Sequence, residues 1–389
     1  MPLGPLHAPA AASAASNGAA AAALAQADFE RDVHCLLGLP FDAVGMAATV
    51  ATIRDAARAG RRCFVSTPNL NFAMAARSDA AFRDSVLRSQ LSLADGMPLV
   101  WVARLLNVPI RERIAGAGVF EQLRDPSPPP ITVYFFGGPP GAADAACDSV
   151  NRSASGLRCV GAQAPGFGSI EEMSSDACID PINHSGAQFV IAALGAKKGQ
   201  AWLEHNARRL RAPVLCHLGA VVNFAAGTVS RAPRWMQAAG MEWLWRIKEE
   251  PQLWRRYGGD GVLFLRLLFT RVLPCALRIR RQAAAAGPLP PATLSVDQRG
   301  PATVIACGGT WTRDTLAPLR AALAAAAQRR APVSLLLNEV SYVDSAFLGL
   351  LLIARGAFGD TSLDIAGADA KLARLFYLHG AEFLLRSPL

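Results

Sequence analysis

Three absences narrow the field before any motif is read. The chain has no G-x-G-x-x-G fingerprint, which disfavours a nicotinamide or flavin enzyme. It has no D-x-D triplet, the carboxylate pair that commonly holds a divalent metal on a nucleotide diphosphate, so neither a metal nor a cofactor is expected. Its eight cysteines lack C-x-x-C spacing and several sit in apolar runs, which argues against zinc and fits small hydrophobes in a reducing, cytoplasmic setting. No Lys or Arg precedes Arg31 and the opening stretch has no Leu-rich centre, so residues 1–34 read as a disordered Ala-rich tail and not as a secretion signal. No apolar run is long enough to span a bilayer, because Arg266, Arg271 and Pro274 interrupt Val262 to Leu277.

What is present is apolar material with a local excess of positive charge. With 389 residues, 52% of them hydrophobic and 18% charged, the chain should hold two or three domains with large cores. The net charge is +9, which suits phosphorylated ligands, nucleic acid or anionic membrane equally. Residues 231–282 carry eleven Lys or Arg against four Asp or Glu, and four of the seven tryptophans. That segment reads as an appendage whose arginines 266, 271, 278, 280 and 281 face lipid, or as an ordinary amphipathic helix packed on a core.

From Ala43 onward strands alternate with helices, which predicts an α/β domain with a mainly parallel, Rossmann-like sheet over residues 35–230. The strand Cys63 to Ser66 ends in Thr67, Pro68 and Asn69, and the strand Leu91 to Leu93 ends in Asp95 and Gly96. Side by side in a parallel sheet, these ends lie on the carboxyl edge, where ligands bind. Asp95 is the chain's candidate general base; the competing role is N-cap of a helix starting near Met97. Thr67 and Asn69 can hydrogen-bond hydroxyls, and Arg113 offers a planar fork to an oxygen pair. Gly137 and Gly138, between a strand and a helix, could bring backbone N–H groups to a phosphate or serve the backbone alone.

At these residues the sequence resembles the WecG/TagA/CpsF glycosyltransferases. The resemblance rests on Thr67-x-Asn69, Asp95-Gly96, Arg113 to Gly116, Gly137-Gly138, Gly166-Phe167, Ile182-Asn183, Leu194-Gly195 and the long stretch from Arg231 to Tyr257. It implies a metal-independent, inverting enzyme that moves a sugar from a UDP-sugar to a polyprenyl-diphosphate-linked sugar in polysaccharide assembly, at the inner face of the cell membrane. It implies Asp95 as base, and Thr67, Asn69, Arg113 and Gln200 as substrate contacts. Gly137, Gly138, Phe167, Gly195, Asn223, Arg246 and Arg256 would serve the nucleotide and diphosphate. Two departures stand out: Gly199 replaces the family's Gln, with Gln200 one place on, and Asn223 replaces its Asp. Both leave open a degenerate scaffold that binds or regulates without catalysing.

Residues 283–293 are a Pro- and Ala-rich linker, and 294–389 form a second, small α/β unit able to fold alone. Leu335 to Gly356 resembles the STAS domain, which implies a protein partner through this module. Ala346 stands where antagonists of that family carry a phosphorylated Ser or Thr, leaving Ser345 as the neighbouring hydroxyl. No nucleic-acid partner is expected.

Overall fold

A computed structural model describes residues 29–385, apart from 153–154, 226, 228–231, 234, 237–239, 250, 252, 285–286, 288 and 360–361. An antiparallel hairpin comes first, β1 (Val33–Leu36) with β2 (Leu39–Asp42). Then follow α1 (Met46–Ala59), β3 (Cys63–Ser66), α2 (Leu70–Ser78), α3 (Ala80–Leu87), β4 (Leu91–Ser92), α4 (Met97–Leu105) and α5 (Gly116–Arg124). The alternation continues through β5 (Ile131–Gly137), α6 (Ala142–Asn151), β6 (Leu157–Gln163), α7 (Asp176–His184), β7 (Phe189–Ala193), α8 (Ala196–Asn206), β8 (Val214–His217) and α9 (Gly219–Ala225). The appendage holds α10 (Glu242–Glu249), α11 (Leu253–Leu267), a π-turn (Leu268–Val272) and α12 (Leu273–Ala284). The C-terminal unit contains β9 (Thr293–Arg299), β10 (Ala302–Trp311), α13 (Ala317–Gln328), β11 (Val333–Val343), α14 (Ser345–Phe358), β12 (Leu363–Ala366) and α15 (Ala370–His379).

The six-stranded sheet runs β4-β3-β8-β7-β5-β6, every pair parallel, so this is the expected Rossmann-like α/β unit. Strands such as Phe189–Ala193 are buried throughout, because helices cover both faces and alternation is unnecessary. One face places Val65, Val133, Ile191 and Val214 against Ile53, Phe120 and Val222. The other places Phe64, Tyr134 and Leu215 against Ile179 and Leu203, with Phe136 stacked on Trp202 at 4.1 Å between ring centroids. Helix α1 stops where expected: Gly60 takes φ 63° and its N–H closes on Ala56 and Ala57.

The second sheet, β12-β11-β10-β9, is parallel except for the edge strand β9, and its fold is the expected small α/β unit. Asp344 caps α14 by accepting from the N–H groups of Ala346 and Phe347. Ser345 is buried and its Oγ lies 3.0 Å from His34 Nδ1, so the hydroxyl beside the missing phosphoacceptor is occupied within the chain.

Four expectations need correction. The tail is shorter than residues 1–34: Phe29 and Val33 are buried, and of those thirty-four positions only 1–28 lie outside the described residues. The C-terminal unit is not packed by itself, since Phe29, Val33, Cys35 and Leu87 share one core with Leu350, Phe347 and Phe376. Arg271 does not face lipid: it is 5% exposed, its Nη1 and Nη2 pair with Glu382 at 2.9 and 2.7 Å, and Nη1 also donates to Tyr377 O. Finally, not every cysteine serves as a small hydrophobe: six are buried thiols, but Cys147 and Cys159 form a disulfide between α6 and β6.

The junction between the units depends on backbone contact. A Cβ on Gly349 of α14 would stand 2.2 Å from Val33 O, and one on Gly356 would stand 2.3 Å from Leu87 O. The hairpin in turn is fixed to the large sheet, because Asp42 accepts from the Ser92 N–H at 2.6 Å and pairs with Arg31 at 2.7 Å. Gly349→Ala should therefore lower stability by about 1–3 kcal/mol, the usual cost of overpacking. Urea denaturation followed by circular dichroism should show an earlier midpoint; an unchanged midpoint would mean that β1 is not held against α14.

Candidate functional site

Because β3 and β4 are parallel neighbours, with Ser66 level with Ser92, the turns that follow them emerge together at the carboxyl edge. Thr67 and Asp95 belong to these turns, and α5 covers them from the side. Gly116, the first residue of α5, is required by this closeness: a Cβ there would lie 2.3 Å from Leu218 Cδ2 and 3.5 Å from Thr67 Cγ2. Thr67 is 7% exposed.

Asp95 does not cap the helix that follows it. The N-cap of α4 is Gly96, which has no side chain to give, and Asp95 turns toward α5, where Oδ2 accepts from the Gly116 N–H at 3.3 Å. Its Oδ1 lies 3.5 Å from Arg113 Nε, and 24% of its side chain stays open. Capping falls to Asn69 instead, whose Oδ1 accepts from Phe72 N at 3.1 Å to start α2. That bond uses the oxygen and leaves the Asn69 amide nitrogen for other work.

Arg113 is shared. While Nε faces Asp95, Nη2 pairs with Glu242 Oε2, so the first turn of α10 in the appendage reaches into the sheet edge. Glu242 was not foreseen as a site residue; it lies within the Arg231 to Tyr257 stretch, but only the fold brings it across to Arg113. Burial pushes the Asp95 carboxyl above its ordinary range, against the pull of Arg113 and the Gly116 N–H, and Glu242 adds to the rise. A raised carboxyl is a stronger base than a free one, and Arg113 opposes the rise without cancelling it.

The remaining candidates disperse. Gln200 is fully buried, its Nε2 donating to Ser66 Oγ at 2.7 Å and to Ser85 O, so it braces the carboxyl end of β3 against α3 with no exposed surface. Gly137 and Gly138 have φ of 96° and 91°, and a Cβ on Gly137 would meet Ala193 O at 2.9 Å. Their need is therefore backbone packing against the end of β7, whatever else they do. Gly195 opens α8 with φ 81° and free space beside it, leaving that helix N-terminus uncovered at the edge. Phe167 is fully exposed. Asn223 sits half-buried on α9, and Arg246 lies on the same face of α10 as Glu242, one turn on. The side chain of Arg256 lies outside the described residues. Among the described residues no three His, Cys, Asp or Glu side chains converge as a metal site.

Beyond the edge, α11 and the π-turn after it turn an apolar stripe outward. Trp254, Val262, Leu265 and Phe269 are between 53% and 69% exposed, while Leu267, Val272 and Cys275 on the opposite face are buried against the core that includes Phe72 and Leu99. The reading of an amphipathic helix packed on a core thus holds for the buried face, and the other face stays exposed. Among the described residues no helix is long and apolar enough to cross a membrane.

Comparison with known proteins gives two family matches. The profile described as "Glycosyl transferase WecG/TagA/CpsF family" matches residues 34–276, and that described as "Mlab, STAS domain" matches 294–386. Two curated relatives are N-acetylglucosaminyldiphosphoundecaprenol N-acetyl-beta-D-mannosaminyltransferases. That of Bacillus subtilis is 27% identical over 194 residues, 49% of this chain and 73% of the relative. That of Bacillus spizizenii is 25% identical over 194 residues, 50% of this chain and 74% of the relative.

The raised Asp95 carboxyl also has a consequence for stability. A folded-state value above the ordinary 3.8 means the native form holds the proton longer than the unfolded chain, so this residue opposes folding increasingly as pH rises through the folded value. Asp95→Asn should therefore melt higher than wild type at pH 7, with the gain shrinking as the pH is lowered toward 4. A variant that melts lower at pH 7 would show that pairing with Arg113 outweighs burial.

Proposed function

The chain belongs to the WecG/TagA/CpsF family of glycosyl transferases, and on that premise we propose that it transfers a sugar from a UDP-sugar to a polyprenyl-diphosphate-linked N-acetylglucosamine during synthesis of a cell-surface polysaccharide. The observation that carries the reading is the Asp95–Arg113–Glu242 cluster, which joins the carboxyl edge of the sheet to the appendage. Asp95 takes the proton of the acceptor hydroxyl, whose oxygen forms a bond to the anomeric carbon as the bond to UDP breaks on the opposite face, inverting the configuration. Thr67 and the free amide nitrogen of Asn69 orient sugar hydroxyls. Arginines balance the charge on departing UDP in place of a metal: Arg113 from the loop before α5, Arg246 and Arg256 from the appendage. The N-terminus of α8 at Gly195 adds its dipole.

We place the enzyme at the inner face of the membrane, held there by the outward stripe of α11. The apolar side chains enter the interface while Arg266, Arg280 and Arg281, all exposed, meet anionic headgroups. Each such arginine is worth about 1 kcal/mol near the surface. The lipid-linked acceptor is confined to that plane, so the attachment brings it to the edge.

Two experiments test these proposals. Asp95→Asn should keep UDP-sugar affinity while lowering acceptor-dependent UDP release by roughly 10²- to 10⁴-fold; an unchanged rate from folded protein would remove Asp95 as base. In flotation with anionic liposomes, Val262→Ser with Phe269→Ser should stay in the soluble fraction, and high salt should release wild type. A wild type that never floats would end the membrane assignment.

A further inference from the structure

Arg113 does not close its fork on either neighbour. In a guanidinium the Nε–H and one Nη2–H point the same way, and together they grip a single carboxylate side-on when nothing intervenes. The chain does this twice elsewhere. Arg31 meets Asp42 with Nε at 2.9 Å and Nη2 at 2.7 Å, and Arg313 meets Asp32 with Nε at 3.0 Å and Nη2 at 2.6 Å. At Arg113 the same two atoms are divided: Nε lies 3.5 Å from Asp95 Oδ1, while Nη2 belongs to Glu242 Oε2. The long approach to Asp95 is thus the counterpart of the close pair with Glu242.

The cluster is also shielded. Only 17% of the Arg113 side chain, 18% of Glu242 and 24% of Asp95 are open, so solvent and salt screen these charges weakly. The neighbours brought to the Asp95 turn by the adjoining elements are uncharged. Asn69 precedes α2, Gly96 opens α4 without a side chain, and α5 gives the Gly116 N–H. From β8 come the Cys216 thiol, pushed well up by burial, by Cys63 and by Asp95 itself, and the His217 ring, packed against Gly199 and held down to about 4 by burial.

We propose that Glu242 is a positioning residue for the transfer: by occupying Nη2 it keeps the Arg113 fork from closing on Asp95, so that the carboxylate stands beside a cation yet stays free to take the acceptor's proton. This deepens the glycosyltransferase reading and rests on it. With Glu242 in place, burial raises the Asp95 carboxyl, Arg113 and the Gly116 N–H offset only part of the rise, and Glu242 adds to it. Without Glu242 the fork closes as it does at Asp42, the ion pair tightens and the base weakens. Because Glu242 stands in the first turn of α10, Asp95 acquires its working state only with the appendage laid against the edge.

Carbon-13 NMR of aspartate-labelled protein tests this without turnover, the Asp95 signal being identified by its loss in Asp95→Asn. In Glu242→Gln, which keeps the shape and removes the charge, the titration midpoint of Asp95 should fall; in Glu242→Asp, which keeps the charge, part of the change should be recovered. Acceptor-dependent UDP release should follow, with the pH of half-maximal rate moving down in Glu242→Gln and the plateau dropping by less than the roughly 10²-fold that marks a lost base. Hydrogen exchange of the α10 amides shows whether the appendage stays in place. A midpoint that falls with α10 protected as in wild type supports the proposal. One that does not move overturns it, and so does one that falls only with α10 exposed, since Glu242 would then be a latch. A wild type that never releases UDP defeats the transferase reading and leaves the coupling of Glu242 to Asp95 standing; normal turnover with an unmoved midpoint does the reverse.

Discussion

Parallel pairing is the constraint on which the site depends. When all six strands of a sheet run one way, every strand-to-helix turn lands on the same edge, and helices must cover both faces to return the chain. Residues far apart in sequence, from Thr67 through Asp95 and Gly195 to His217, are thereby delivered to one edge. The same covering helices keep water away from its floor. That is why the Asp95 carboxyl is pushed up and the His217 ring is held neutral: both stand at the ends of strands whose flanks are closed.

Much of this was legible in the chain itself, because it is local. Apolar strand runs ending in Thr67 or in Asp95-Gly96 announce both the parallel sheet and its edge, and Gly60 announces the end of α1. What was not legible depends on phase and on distant partners. One residue around a helix separates Gly199, which opens a space for His217, from Gln200, which bonds Ser66 at the end of β3. Arg271 reads as one more surface arginine until Glu382, from the other unit, is brought beside it. Glu242 is one glutamate among several until α10 folds back over Arg113. Strands β1 and β2 escaped notice because they are short and their partner helix is encoded three hundred residues away.

The departures from the family's sequence pattern take on a different meaning in three dimensions. Taken one at a time, a Gly for a Gln looks like loss. Seen with its neighbours, Gly199 is half of an exchange in which the space vacated on α8 is refilled from β8. The retained Asp95 and Arg113, still in contact and still covered by the appendage, agree with a working site more than with a relic.

The contact between β1 and α14 has a bearing on biosynthesis. Strand β1 leaves the ribosome before the other described strands, yet the helix it lies against, at Gly349, follows about three hundred residues later. Until then Phe29, Val33 and Leu87 have no core to enter, and the hairpin that anchors β4 through Asp42 and Ser92 stays loose. Pairings of such long sequence separation form late and slowly. The turn carrying Asp95 directly follows β4, so the reactive edge acquires its final shape only after the C-terminal unit has been translated. An interrupted chain would carry every residue of the site and still lack the floor on which they are set.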